Sequence, residues 1–241
     1  MVLVSLLILG CATKPKEQTG MWCPDKVAYE NNRSGNVTLK GIGGKVYTIK
    51  GVYLWNYYQT SMKLINLTQI PTAVCISETA GLNAFAGKQG NVNRMAMTVD
   101  ALNKFGNDPD AIAAVMGHEL AHLKLDHQSI RQSRKQTSDR TSAIVGSVVG
   151  AFVPFGGTIT NLGATAITTS YSRDEEREAD EQGMIWAMKA GYSPCGWVRW
   201  NKEVMKADSS SISFLSTHPM TSERLKAANQ LAISKNYGEC N

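Results

Sequence analysis

Val115-Met116-Gly117-His118-Glu119-Leu120-Ala121-His122 is the stretch on which the fold and the chemistry turn. On a helix of 3.6 residues per turn, His118 and His122 stand one above the other, so both imidazoles reach one metal ion. Glu119 lies about 100° further round the axis. Its carboxylate then sits beside the ion and takes a proton from water. The helix is predicted without the motif. Asp108 suits the N-cap, Pro109 the first helical position and Asp110 the positive end of the dipole, and Ile112, Val115, Met116 and Leu120 form an apolar stripe. Two solvated histidines on a helix face are the competing reading, and a third ligand decides between them.

Ser172-Arg173-Asp174-Glu175-Glu176-Arg177-Glu178-Ala179-Asp180 supplies the candidate. Ser172 and Glu175 have capping-box spacing, and Gly191 is the expected stop. Glu176 and Asp180 fall one turn apart on one face. Glu176 closes a His-His-Glu set, while Asp180 accepts a hydrogen bond from the free nitrogen of a ligand histidine and fixes its tautomer. In isolation the segment reads as an ordinary charged helix start. Its weight comes from the pairing with the first motif. Glu178 is read as a solvated or packing residue.

With both motifs in order, the chain resembles the HtpX and CAAX-prenyl-protease family of zinc metallopeptidases, peptidase family M48. That family carries the H-E-x-x-H helix and then S-R-x-x-E-x-E-A-D. Leu82-Asn83-Ala84-Phe85-Ala86 upstream and Ser216-Thr217-His218-Pro219 with Arg224 downstream extend the likeness over Pro71 to Leu231. The resemblance is strongest to small periplasmic lipoprotein members. It implies an α+β fold, a mostly helical gluzincin-type domain with a small antiparallel sheet beside the active-site helix. It implies one zinc ion per chain on His118, His122 and Glu176, with Glu119 as general base and Asp180 behind the ligands. His218 would face the zinc, either supporting the oxyanion or occupying the open coordination position and switching the enzyme off. Arg224 is as well read as a structural ion pair as a catalytic group, and Asn83 as substrate contact or structural support. The expected activity is endopeptidase action on misfolded or stalled envelope proteins, with the sheet edge pairing to an extended substrate. The alternative is an envelope assembly factor or chaperone whose metal site stays capped by His218.

Outside these motifs the chain sets bounds. Its 241 residues with 43% hydrophobic content can bury a full core. The net charge of +5 comes without a long basic run or interleaved aromatics, which argues against a nucleic-acid partner. Residues 1–10 are nearly all apolar but too short to span a bilayer, and Ile8-Leu9-Gly10-Cys11 resembles a bacterial lipobox. The expected organisation is a signal peptide over 1–10, a lipid anchor on Cys11, a tether over 11–20 and a single metallopeptidase domain over 21–241. That places the protein in the bacterial envelope, on the periplasmic face of the outer membrane, held by its N-terminal lipid. Cys23, Cys75, Cys195 and Cys240 then remain, an even number that suits two disulfides in an oxidising compartment, with three pairings open.

Between residues 25 and 70 the signals are mixed and leave the segment undecided: Lys45 to Ile49 alternates like a strand, whereas Tyr53 to Leu67 has the pattern of an amphipathic helix. Thr72 to Thr79 is β-rich, with Arg94 to Val99 as its candidate partner. The uncharged, glycine-rich stretch Thr141 to Ser172 reads as a flap over the cleft or as a membrane contact. A single span there would put the histidines across a bilayer from Glu176. Met184, Ala187, Met188 and Met205 are read as core. His127, five residues past His122, is expected to point elsewhere as a surface residue.

Overall fold

The computed structural model describes residues 20–133, 170–206 and 213–240. The expectations for the signal peptide, Cys11, nearly all of the tether and residues 141–169 lie outside these residues. No described helix is long and apolar enough to cross a membrane.

The described part opens with strand β1 (Met21–Trp22) and helix α1 (Lys26–Asn31), followed by the hairpin β2 (Asn36–Lys40) and β3 (Val46–Lys50). Helix α2 (Gly51–Thr68) buries Leu54, Tyr57, Ser61, Leu64 and Ile65, a stripe with the period of a helix face. The ambiguous segment before residue 70 therefore contains both a strand and a helix, in that order.

Strands β4 (Thr72–Ser77), β5 (Ala84–Gln89) and β6 (Val92–Thr98) join β1 in a sheet of order β1-β4-β6-β5. This sheet is mixed, which corrects the antiparallel expectation. After β4 the chain skips one position to lay down β5 at the edge, so β6 returns through the vacant slot parallel to β4 and antiparallel to β5. Gly90 takes a φ of 59° at the first position of the two-residue hairpin loop, a conformation that costs glycine little. Val99, expected in the second strand, instead opens helix α3 (Val99–Phe105), because the Thr98 side chain caps it by accepting from the Ala101 N–H.

Helix α4 (Pro109–Lys124) is the centre of the molecule, with every residue from Ala111 to His122 buried. Its start follows the sequence reading: the Asp108 carboxylate accepts from the Ala111 N–H at 3.1 Å and Pro109 occupies the first turn. Asp126, with a φ of 54°, turns the chain before a further helical stretch over 127–133, α5. Helix α6 (Arg173–Lys189) begins with the reciprocal Ser172–Glu175 capping box. It ends in a Schellman arrangement, with Gly191 N–H donating to Met188 and Tyr192 N–H to Ala187 at a Gly191 φ of 86°.

Helices α4 and α6 cross where both carry glycine. A Cβ on Gly117 would lie 2.6 Å from the Gly183 carbonyl oxygen, and one on Gly183 only 2.5 Å from the His118 nitrogen. Helix α7 (Cys195–Lys206) packs Trp197 and Trp200 fully inside, and α8 (Ser213–Thr217) and α9 (Ser222–Ser234) complete the described chain. Met184 and Ala187 are buried as expected, whereas Met205 is 48% exposed, because it falls in the last turn of α7, off the face that carries Trp197 and Val204. Disulfides join Cys23 to Cys75 and Cys195 to Cys240, one of the three pairings left open.

Candidate metal centre

The α4–α6 crossing brings three chain segments to one point. His118 Nε2 and His122 Nε2 are 3.0 Å apart, and Glu176 Oε1 is 3.4 Å from His122 Nε2. From the turn after α8, His218 Nδ1 reaches within 3.0 Å of Glu176 Oε1 and 3.2 Å of His118 Nε2. The four ligand atoms lie within 4.8 Å of one another, and all four residues are buried.

Each of these imidazoles has an aromatic ring behind it. His118 stacks on Trp197 with centroids 4.8 Å apart, His122 on Tyr171 at 3.8 Å and His218 on Phe214 at 4.5 Å. Sequence reading missed these three supports: Trp197 and Tyr171 meet their histidines only across elements distant in the chain, and Phe214, one helical turn before His218, reads as an ordinary core residue.

The remaining edges are tied to polar groups. Asp180 Oδ1 lies 3.0 Å from His118 Nδ1. Arg224 grips Asp180 with two hydrogen bonds, Nε to Oδ2 at 2.7 Å and Nη2 to Oδ1 at 2.6 Å. Its Nη1 donates to the Pro219 carbonyl at 2.8 Å and lies 2.6 Å from Glu176 Oε2. Of the two readings of Arg224, the geometry gives the ion pair: its guanidinium holds the carboxylates of Glu176 and Asp180 in place.

His127 requires a correction. It is buried, with Nδ1 2.9 Å from His122 Nδ1 and Nε2 3.3 Å from Glu178 Oε2. The surface expectation extended the phase of α4 past its end, but the left-handed turn at Asp126 resets that phase. Glu178 is 66% exposed at its side chain, as a solvated residue should be, yet its inner oxygen faces His127. Asn83 leads into edge strand β5, its backbone carbonyl accepting from the Thr98 N–H at 3.0 Å.

Electrostatics sort the acidic and basic groups. Burial pushes His118 down and His122 well down, which keeps both imidazoles neutral with lone pairs to give. Burial alone would raise Glu176, but His218, His122 and His118 together hold its carboxyl well below the usual carboxylate range. Glu119 goes the other way, raised by burial to about 7. Its Oε1 is buried with no hydrogen-bond partner among the described residues, and His218 Nε2 lies 3.4 Å from it.

This donor set fits a divalent transition metal. A tetrahedral zinc with bonds of about 2.0–2.1 Å separates its nitrogen ligands by about 3.3 Å, close to the spacings found here. The carboxylate of Asp180 can only accept, so beside it His118 would carry its proton on Nδ1 and present a bare Nε2 to the cluster. The solitary Glu119 oxygen next to the donors is the acceptor that a water molecule would occupy.

Fold and centre together set a His-His-Glu cluster on two crossed helices beside a small mixed sheet. A family profile described as Peptidase family M48 matches residues 56–232, and the chain belongs to that family. It is similar to Metalloprotease YcaL of Escherichia coli K12, at 27% identity over 66% of this chain and 61% of the relative. It is 24% identical to the Beta-barrel assembly-enhancing protease of the same organism over 82% of this chain, and 24% identical to Metalloprotease LoiP over 66%. The chain spans 43% of the former and 62% of the latter.

Proposed function

We propose that the protein is a zinc-dependent endopeptidase of the bacterial envelope, acting on misfolded or stalled envelope proteins. The observation that carries this reading is the convergence of His118, His122 and Glu176 with a buried, unsatisfied Glu119 oxygen at their side. Those three residues would hold a zinc ion, and the group would supply a Lewis acid able to polarise a carbonyl and to lower the pKa of water to about 7.

The chain's own groups do the rest. Glu119, raised to about 7, takes a proton from water on its free oxygen and returns it to the departing amine nitrogen. The Ala86 amide of β5 lies against the Glu119 carboxylate, so the sheet edge runs past the base. In the β5–β6 ladder Asn83, Phe85, Gly87 and Gln89 point their backbone groups at β6, which leaves those of Ala84, Ala86 and Lys88 on the outer edge. An extended substrate adding to that edge would be held through its backbone, so cleavage would tolerate many sequences. Asn83 at the head of this strand would support the substrate end or the strand itself.

Location follows from three supports. Cys11 in its lipobox-like setting would carry the lipid that holds the protein to the periplasmic face of the outer membrane. The two disulfides suit an oxidising compartment. One similar protein is named for enhancing β-barrel assembly.

A second reading, an assembly factor with a capped site, draws on His218. Its ring lies between Glu119 and the ligand set, 3.4 Å from the base and 3.0 Å from Glu176, in the space a water must enter. Glu119→Gln separates the two. On the protease reading, casein hydrolysis falls by about 10²–10⁴ while zinc and client binding persist. Envelope function that survives this replacement in cells would favour the assembly role.

A further inference from the structure

We propose that His127 is a positioning residue for the metal ligand His122, and that Glu178–His127–His122 forms a second carboxylate-backed arm alongside Asp180–His118. The inference rests on the metal-binding reading above.

The contact between His122 Nδ1 and His127 Nδ1, 2.9 Å long, needs one proton and one lone pair. If His122 turns a bare Nε2 toward the cluster, its proton is on Nδ1 and it donates to His127. His127 then carries its own proton on Nε2, which points at Glu178 Oε2 3.3 Å away. A carboxylate accepts only, so the series has one consistent proton arrangement, running from the acidic end to the ligand. The opposite tautomer of His122 would place a proton on Nε2, where no lone pair remains for a metal.

Geometry restrains the ring as well as the tautomer. Tyr171 lies flat on the His122 face at an interplanar angle of 16°, and the Arg131 guanidinium covers the tyrosine at 4.3 Å. The stack fixes the plane of the imidazole, and His127 fixes its rotation within that plane. His127 reaches this place because the turn at Asp126 brings the first residue of α5 beside Glu178 of α6. The two arms also differ: Asp180 is buried and gripped by Arg224, whereas Glu178 opens to solvent. Water can replace the Glu178 oxygen, so the arm depends mainly on His127.

The test is zinc affinity, measured by competition with a chromogenic chelator on the folded, oxidised protein. His127→Ala and His127→Phe should bind zinc about 10–100-fold more weakly. His127→Gln keeps a carbonyl that can accept the His122 Nδ1–H, and it should recover to within about threefold of wild type. Zinc binding by the alanine and phenylalanine variants within twofold of wild type would overturn the inference. So would a glutamine variant no better than phenylalanine, which would make His127 a packing residue. Should the variants fail to fold, long-range ¹H–¹⁵N spectra of zinc-loaded wild type decide it. Protons on His122 Nδ1 and His127 Nε2 are expected, and a proton on His127 Nδ1 would refute the arrangement. A wild-type protein that binds no zinc would instead bring down the metal reading on which the inference depends.

Discussion

The glycine crossing makes the sharpest demand on the site. Replacing Gly183 by alanine puts a methyl group 2.5 Å from the His118 backbone nitrogen, where ordinary contact begins at 3.4 Å. The obstacle is backbone on both sides, so α6 must retreat from α4 by about 0.9 Å, the difference between those two distances. Glu176 lies two turns before Gly183 on the same face and moves with it. Metal–ligand bonds tolerate only about 0.2 Å, so the carboxylate would leave bonding range of an ion held by His118 and His122. The expected outcome is zinc affinity reduced at least about tenfold, of the size that loss of ligand support causes. Overpacking adds a stability cost of about 1–3 kcal/mol, and each kcal/mol lowers Tm by about 2–4 °C in a chain of this size. Gly117→Ala, meeting the Gly183 carbonyl at 2.6 Å, should behave alike. Chelator competition and thermal unfolding measure both effects. A Gly183→Ala protein with wild-type zinc affinity and Tm would show that this crossing does not set the ligand spacing.

Arg224→Met should destabilise the metal-free protein by about 3–5 kcal/mol in urea unfolding, because it strands two buried carboxylates without their cation. Arg224→Lys should recover only part of this, since an ammonium cannot reproduce the fork on Asp180. Asp108 is half-buried, which would raise its pKa, but the Arg199 hydrogen bonds and charge and the Ala111 N–H outweigh burial and hold it below the usual carboxylate value of 3.8. Its contribution to stability is therefore complete above that unfolded value and lost as pH falls through the lower folded one. Arg199→Gln should cost about 1 kcal/mol at neutral pH, the modest figure proper to a partly exposed pair, and the gap between variant and wild type should close below pH 3.8. Removing the Cys195–Cys240 bridge by paired serines releases a loop spanning 45 residues in sequence. The chain-entropy account puts this at about 4 kcal/mol, to be read as a lower Tm of the variant without added reductant.

Much of the centre was legible in the sequence because it rests on local rules. The Asp108 cap, the Ser172–Glu175 box and the i,i+4 pairs His118/His122 and Glu176/Asp180 depend on residues within a few positions of one another. What failed depended on chain reversal or distant packing. The parallel β4–β6 pairing follows from β5 taking the edge, which no local pattern states. His127 was misplaced because helical phase was carried through the Asp126 turn, where an αL residue was the missing signal. Gly117 and Gly183 did leave a trace: glycine inside a helix costs about 1 kcal/mol relative to alanine, and its presence in both motif helices marks a close approach. The aromatic backing by Trp197, Tyr171 and Phe214 had no such trace, since any large apolar residue in these positions reads simply as core.

The central claim is that side chains from α4 and α6 share one zinc ion, and anomalous diffraction at the zinc absorption edge addresses it directly. On this account the zinc-loaded crystal shows a single strong peak within about 2.0–2.2 Å of His118 Nε2, His122 Nε2 and a Glu176 oxygen. Well-ordered crystals grown with zinc that show no peak between these residues, or a peak bound only by other groups, would contradict it.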